Sequence, residues 1–284
     1  MAEPISIRAV IGEALRTVRG NPQFVLSVAA VGAAAHGIAF VTLGSSAVWA
    51  ALLALISAAI YAALSRFALD GDARGVRTKL GGDTLRVSMS TSIVAFFLVL
   101  LCFVLLYMTM LVLIGPYAEE AKQLAEAKDQ PGTQALMQRA MTEQSGVVTS
   151  AMIIGGLILF AVTSRFYVAV PQSLVKGRAM AFDSWRLTRG NLVRIAGARV
   201  ALLLPALIFA GALQSLFAFA IGLNPNDLTA TAAAAQQNPI AFVAFFTVAQ
   251  FLQIAVYTSL EAALSVAIFR AVAPADSTDS GRAG

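Results

Sequence analysis

Long apolar runs separated by short charged links set the pattern of this chain. Six segments, about 22–43, 46–68, 91–115, 147–170, 196–222 and 240–269, are apolar over their full length. A helix needs roughly 20 such residues to cross the hydrocarbon of a bilayer. The runs are unbroken rather than alternating, so they predict helices and not a β-barrel. "LGSS" at 43–46 joins the first two segments into a tight hairpin. Pro171 and Pro239 stand at segment ends, where a missing N–H costs little, while Pro205 lies inside the fifth and predicts a kink. The expected fold class is all-α: a polytopic membrane bundle of six spans with amphipathic interfacial helices. One integral membrane domain is expected over 1–272, in units of about 1–70, 71–170 and 171–270, with a disordered cytoplasmic tail at 273–284.

Composition sharpens this picture. The 284 residues are 58% hydrophobic and 12% charged, about half the charged fraction of a soluble domain. The first apolar segment is preceded by Arg8, Glu13, Arg16 and Arg19 and lacks a cleavage pattern, so no signal peptide is expected. Cys102 is the single cysteine and His36 the single histidine, which removes intrachain disulfides and most metal or triad chemistry. Sixteen arginines against four lysines, with abundant alanine, point to a GC-rich bacterial genome.

Charge placement gives a direction. The segment before the first span carries three basic residues, the 66–90 link five, the 165–199 link seven and the C-terminal end two. The alternate links carry none, three (116–146) and none. Seventeen against three predicts both termini in the cytoplasm of a bacterial inner membrane. The 116–146 loop reads as two short helices broken at "DQPG" (129–132), a small periplasmic cap. The high pI of 9.7 therefore points to anionic lipid and not to nucleic acid.

The links repeat a motif. "DSWRLTRGN" (183–191) aligns with "EALRTVRGN" (13–21), and more faintly with "DTLR" (83–86). "AALS" recurs at 62–65 and 262–265, and "SRF" at 65–67 and 164–166. Three units of one interfacial helix plus two spans follow. In the first copy Ile7, Val10, Ile11, Ala14, Leu15 and Val18 share one helical face, opposite Arg8, Glu13, Arg16 and Arg19. That is a basic amphipathic helix suited to the headgroup plane, with Glu13 and Arg16 spaced to pair. In the third copy Trp185 suits the interface, its ring apolar and its N–H wet. Arg8, Arg16, Arg19, Arg86, Arg178, Trp185, Arg186 and Arg189 are the expected headgroup contacts. Arg194 and Arg199, near the start of the fifth span, can snorkel to the surface.

The stretch "VAVPQSLVKGRAMAFDSWRLTRGNLVRI" (168–195) resembles a signature of bacterial membrane proteins: a span ending in Pro, a short link, then A-x-x-S-W-x-L-T-x-G. Pro171, Ala181, Ser184, Trp185, Leu187, Thr188 and Gly190 carry the likeness. It is similar to six-span inner-membrane proteins of the YciC type and to the membrane domain ahead of some glycerophosphoryl diester phosphodiesterases. An acidic residue common after the Pro is replaced here by "SLVKGRA", and the sequence ends in the short "APADSTDSGRAG" with no phosphodiesterase domain. The resemblance implies membrane location and little chemistry, and hydrolase activity is not carried over from it.

Polar residues within spans are the remaining candidates. Glu261 in "YTSLEAALS" follows Gln250 and Gln253. It reads either as half of an ion pair with Arg66 or Arg165, or as a proton or cation site. His36, among Gly32, Ala33 and Gly37, suits an interhelical hydrogen bond, or more remotely a proton relay with Glu261. Gln214 suits a bond across helices. "NPNDL" (224–228) reads as a turn and helix start. No catalytic motif stands out, and no cofactor or metal is expected. Two readings of function remain. One is a non-enzymatic protein organising anionic lipids or a membrane or cytoplasmic partner. The other is a transporter or channel for a lipid or small solute using Glu261. The orientation is checked by reporter fusions near residues 75 and 180, which are expected to register on the cytoplasmic side; an external signal at either point reverses the topology.

Overall fold

The computed structural model describes residues 4–43, 47–223 and 238–273. All regular structure among them is helical. The helices are α1 (Ile7–Gly20), α2 (Pro22–Leu43), α3 (Ala47–Asp70), α4 (Ala73–Ile114), α5 (Ala118–Glu126), α6 (Gln130–Glu143), α7 (Ser145–Arg165), α8 (Ala169–Lys176), α9 (Asp183–Leu187), α10 (Leu192–Ala220), α11 (Pro239–Leu252) and α12 (Ser259–Val272). A π-helical turn, Gln253–Thr258, joins α11 to α12 in one continuous span. Six helical stretches are long and apolar enough to cross a membrane. The chain is a multi-pass integral membrane protein with an all-α fold. The "NPNDL" turn and the C-terminal tail beyond residue 273 lie outside the described residues.

The chain divides into two compact units. The first combines residues 1–92 with 164–284, and the second is 93–163. In the second, α5 packs on α6, and Asp129 caps α6 by accepting the Gly132 N–H at 3.0 Å. Gln144 donates its side-chain amide to the Leu113 carbonyl at the end of α4, 2.9 Å away. Arg139 and Glu120 form an exposed pair at 2.6 Å, and that carboxylate, as hydrogen-bond acceptor, holds the guanidinium pKa above its ordinary value. The apolar stretches of α4 and α7 turn large side chains outward, Phe96 and Met152 each 73% exposed. In water such surface would be a liability; in hydrocarbon it is the lipid face.

In the first unit, α2 packs against α3 and α11, and α3 against α12 and α8. The "AALS" recurrence has a packing reason. Ala62, Ser65, Ala262 and Ser265 are all fully buried, on α3 and α12, which lie against each other. Small residues let helices approach where lipid offers no hydrophobic drive. The α2–α11 contact is similarly close: a Cβ at Gly37 would stand 2.6 Å from the Thr247 hydroxyl. Gln214 on α10 donates to the Ala249 carbonyl on α11 at 3.1 Å. α10 continues through Pro205 as one helix.

The amphipathic face of α1 is covered by protein. Val10 and Ala14 are buried, and Ile11, Leu15 and Val18 pack with them against Ile195 and Ala198 of α10 and Ala263, Leu264, Ala267 and Ile268 of α12. The C-terminal part of the sixth span, with α10, thus supplies the apolar surface that lipid was expected to supply. Glu13 accordingly pairs with Arg270 at 2.6 Å, and Arg16 instead bonds the Gly12 carbonyl.

Three arginines at span ends hold the links in place. Arg66, at the end of α3, donates Nε and one terminal nitrogen to both oxygens of Asp83 on α4, at 2.7 and 2.9 Å. Its terminal nitrogen also reaches the Leu174 carbonyl of α8 at 3.1 Å. Arg165, at the end of α7, donates to the Thr188 carbonyl at 3.0 Å and lies over the Trp185 ring, 5.6 Å from its centroid. Arg270, near the end of α12, holds Glu13 and donates to the carbonyls of Ala68 and Leu69, both at 2.8 Å. Each arginine closes one pair of spans onto the helical link of the next pair, and the last returns to the first.

Asp83 is 1% exposed, so removing one partner leaves an uncompensated buried charge. Arg66→Ala or Asp83→Ala should each cost about 3–5 kcal/mol of unfolding free energy in detergent. The half-exposed Glu13→Ala should cost about 1 kcal/mol or less. A Leu pair at both 66 and 83 should be milder than either single change, and equal losses at Asp83 and Glu13 would contradict the assignment.

Candidate functional site

Two groups of polar residues stand apart from simple helix packing, and both lie in the first unit. One is the elbow surface where α1 meets the start of α10. The other is a set of polar side chains around the π-helical turn.

The elbows are built from short-range turn chemistry. Ser6 caps α1 by accepting the Ala9 N–H. In the third copy, Gly177 and Gly190 take positive φ, +68° and +88°, which only glycine adopts cheaply. The Thr188 hydroxyl is fully buried and donates back to the Ser184 carbonyl at 2.9 Å. Asn191 is 1% exposed and accepts the Ile5 N–H at 3.1 Å, while Arg194 donates to the Ile5 carbonyl at 2.9 Å. Both main-chain groups of Ile5 are thereby held by the third copy of the motif.

The expected headgroup residues fall into two sets. Arg8, Arg16, Arg19, Arg178, Arg186 and Arg189 are exposed, and none forms an ion pair among the described residues. Trp185 is 43% and Phe182 59% exposed, and Phe166 meets both rings edge-on. A shallow concavity on α1 is lined by Gly12, Leu15, Arg16, Arg19 and Gly20. Arg86 differs: it is held by Asp83 at 2.9 Å and by the Gly177 carbonyl at 3.0 Å. Arg194 is exposed while donating to Ile5, as a snorkelling side chain can be, whereas Arg199 is only partly exposed and donates to the buried Ser164 hydroxyl.

Around the π-helical turn, side chains converge from several helices. Arg199 of α10 donates to the Ser164 hydroxyl at 2.6 Å and lies 4.8 Å from the Tyr167 ring centroid. The Tyr167 hydroxyl donates to the main-chain carbonyl of Glu261 at 3.2 Å. Arg199 is the cation whose field reaches Glu261. Tyr61 of α3 packs on the cluster that holds Ile254 and Ala262, and Tyr257 of the π turn packs on the cluster that holds Tyr167 and Leu264. Arg66 and Arg165, the expected partners of Glu261, are committed to Asp83 and to Thr188 and Trp185. Neither pairs with Glu261 among the described residues; the nearer cation is Arg199, which lies over the Tyr167 ring whose hydroxyl reaches the Glu261 main-chain carbonyl.

The other intramembrane candidates are separate. His36 is buried; in its neutral form Nδ1–H donates to the Gly32 carbonyl at 2.8 Å and Nε2 accepts from Ser57 of α3 at 3.3 Å. No hydrogen bond joins His36 to Glu261 among the described residues. Gln253 opens the π turn, and its carbonyl accepts the Thr258 hydroxyl at 3.3 Å, five residues on. Gln250 sits one turn earlier, half-buried on α11. Asp83, Asn191, Tyr61, Tyr167 and Arg270 were not singled out from sequence. The recurrence of an acid at 13, 83 and 183 was the available signal for Asp83, and the shared "RGN" was the one for Asn191.

No family model, no curated protein and no solved structure matches this chain.

Asn191→Ala removes the buried acceptor of the Ile5 N–H. It should cost about 1–2 kcal/mol and speed hydrogen exchange selectively over residues 5–10. Unchanged protection there would mean that α1 is held by its apolar face alone.

Proposed function

We propose that this protein is a non-enzymatic organiser of anionic lipid, acting through the arginine-bearing elbows of its cytoplasmic face in a bacterial inner membrane. One observation carries the reading: the arginines divide into two sets with different work. Those at span ends and inside α10 are bound to carboxylates, carbonyls or aromatic faces. Arg8, Arg16, Arg19, Arg178, Arg186 and Arg189 are exposed and have no acidic partner among the described residues. The rings of Phe182 and Trp185, on the same link as Arg178, Arg186 and Arg189, are exposed as well. Cations flanked by amphipathic aromatic rings match the phosphate layer of a bilayer, where each contributes about 1 kcal/mol with anionic lipid.

The covered face of α1 supports this division of labour. A helix held by its own apolar side to α10 and α12 does not need lipid for attachment. Its arginines are free to select headgroups at a fixed depth. The resemblance to YciC-type membrane proteins and phosphodiesterase membrane domains belongs to the same proposal and rests on Pro171, Ala181, Ser184, Trp185, Leu187, Thr188 and Gly190.

Neutralising Arg16, Arg19, Arg186 and Arg189 to Gln together should lower affinity for phosphatidylglycerol- or cardiolipin-rich bilayers at least tenfold. Lipid retained through native mass spectrometry should shift toward the zwitterionic class, while the unfolding midpoint stays close to that of the unaltered protein. An unchanged lipid profile in a folded variant would sink the proposal.

A further inference from the structure

We propose that Glu261 is an exchangeable-proton site within the membrane, a carboxyl that takes up and releases a proton beside Arg199 and three tyrosines. The inference is independent of the lipid reading, because no elbow arginine takes part in it.

The first ground is the lack of any fixed partner. The Glu261 carboxylate makes no hydrogen bond and no ion pair among the described residues; only its main-chain carbonyl is bonded, to Tyr167. Asp83, the acid buried elsewhere in this unit, is committed to two arginines, and the half-exposed Glu13 has Arg270. A bare carboxylate in hydrocarbon is costly, and such residues in spans mark ion or proton pathways. The cost is relieved by a bound proton or a counter-cation.

The second ground is what surrounds it. From α10 comes Arg199, 4.8 Å from the ring of Tyr167, whose hydroxyl reaches the Glu261 main-chain carbonyl; Tyr61 of α3 packs on the cluster that holds Ala262, and Tyr257 stands four residues earlier on the same span. α1 contributes only Glu13, which is tied to Arg270 nine residues further along. That is about 14 Å along the helix. α2 contributes His36, which is bonded to Gly32 and Ser57. No second carboxylate faces the site, and no group of three acidic, His or Cys residues exists among the described residues. One carboxyl with hydroxyls and a single guanidinium cannot enclose a divalent metal. A proton needs no such cage.

The third ground is the π turn itself. Its six residues, Gln253–Thr258, insert extra backbone immediately before Ser259 and Glu261. One added residue rotates everything after it by about 100°. The turn therefore sets which neighbour Glu261 meets, and it aligns Tyr257 and Glu261, four apart, on one face. π-helical turns of this kind are rare and concentrate at functional sites.

The test uses the full-length protein in liposomes with a hydrophobic carbodiimide. The protonated carboxyl adds its O–H across one C=N bond, oxygen to carbon and hydrogen to nitrogen. The acyl group then migrates to nitrogen, giving a stable N-acylurea without oxidation or reduction. We expect an adduct on the peptide carrying Glu261, severalfold more abundant in acidic than in alkaline buffer and absent in Glu261→Gln. Infrared spectra of the unlabelled protein should show a protonated-carboxyl C=O band that fades with alkalinity and is missing in the variant. If neither band nor adduct appears at any pH where the protein stays folded, Glu261 is a permanently ionised structural partner of Arg199 and the proposal fails. If sodium ions protect against labelling at constant pH, the site takes a metal cation and the proton assignment is overturned.

Discussion

A guanidinium group at the C-terminal end of a span, held to another link of the chain, is the constraint on which the first unit depends. Apolar side chains cannot fix how membrane helices are arranged, because lipid tails compete equally well for them. Direction has to come from polar contacts in a medium where losing them is expensive. Arg66 illustrates this: its planar fork matches both oxygens of Asp83, and its remaining reach takes in a carbonyl of α8. Arg165 and Arg270 repeat the task with different partners, a carbonyl and an aromatic ring in one case, a glutamate and two carbonyls in the other. The chemistry varies while the connection stays the same.

This arrangement explains how a chain with so few charged residues remains ordered. Much of the polar inventory of the first unit is either internal and bonded or external and bare. Small buried residues at the α3–α12 and α2–α11 contacts allow the close approach that brings polar groups within range. α1 adds a lid of ordinary hydrophobic packing over the same region.

The spans were legible because apolar length is a strong signal, but α4 starts at Ala73, eighteen residues before its apolar run, so the link expected as a separate interfacial helix is continuous with the third span. The elbow motif was legible too, since charge and glycine recur at fixed offsets. The contacts were not. Period and spacing place Glu13 near Arg16, yet Glu13 meets Arg270, 257 residues away. The face of α1 reads as lipid-binding from its pattern alone, because a pattern cannot say whether lipid or another helix will cover it. Arg199 looked peripheral by position, but a buried serine and a tyrosine ring were waiting for it. The π turn leaves no periodic trace, so the direction of Glu261 could only come from coordinates.

The clamp on Ile5 has a consequence for biogenesis. Asn191 and Arg194 are synthesised long after Ile5 has left the ribosome, and Arg270 later still. The first helix must therefore wait at the membrane surface, undocked, through the insertion of at least four spans. Its final seat exists only once the sixth span is in place. Assembly of the first unit is thus a late event in translation, and the earliest segment to emerge is among the last to settle.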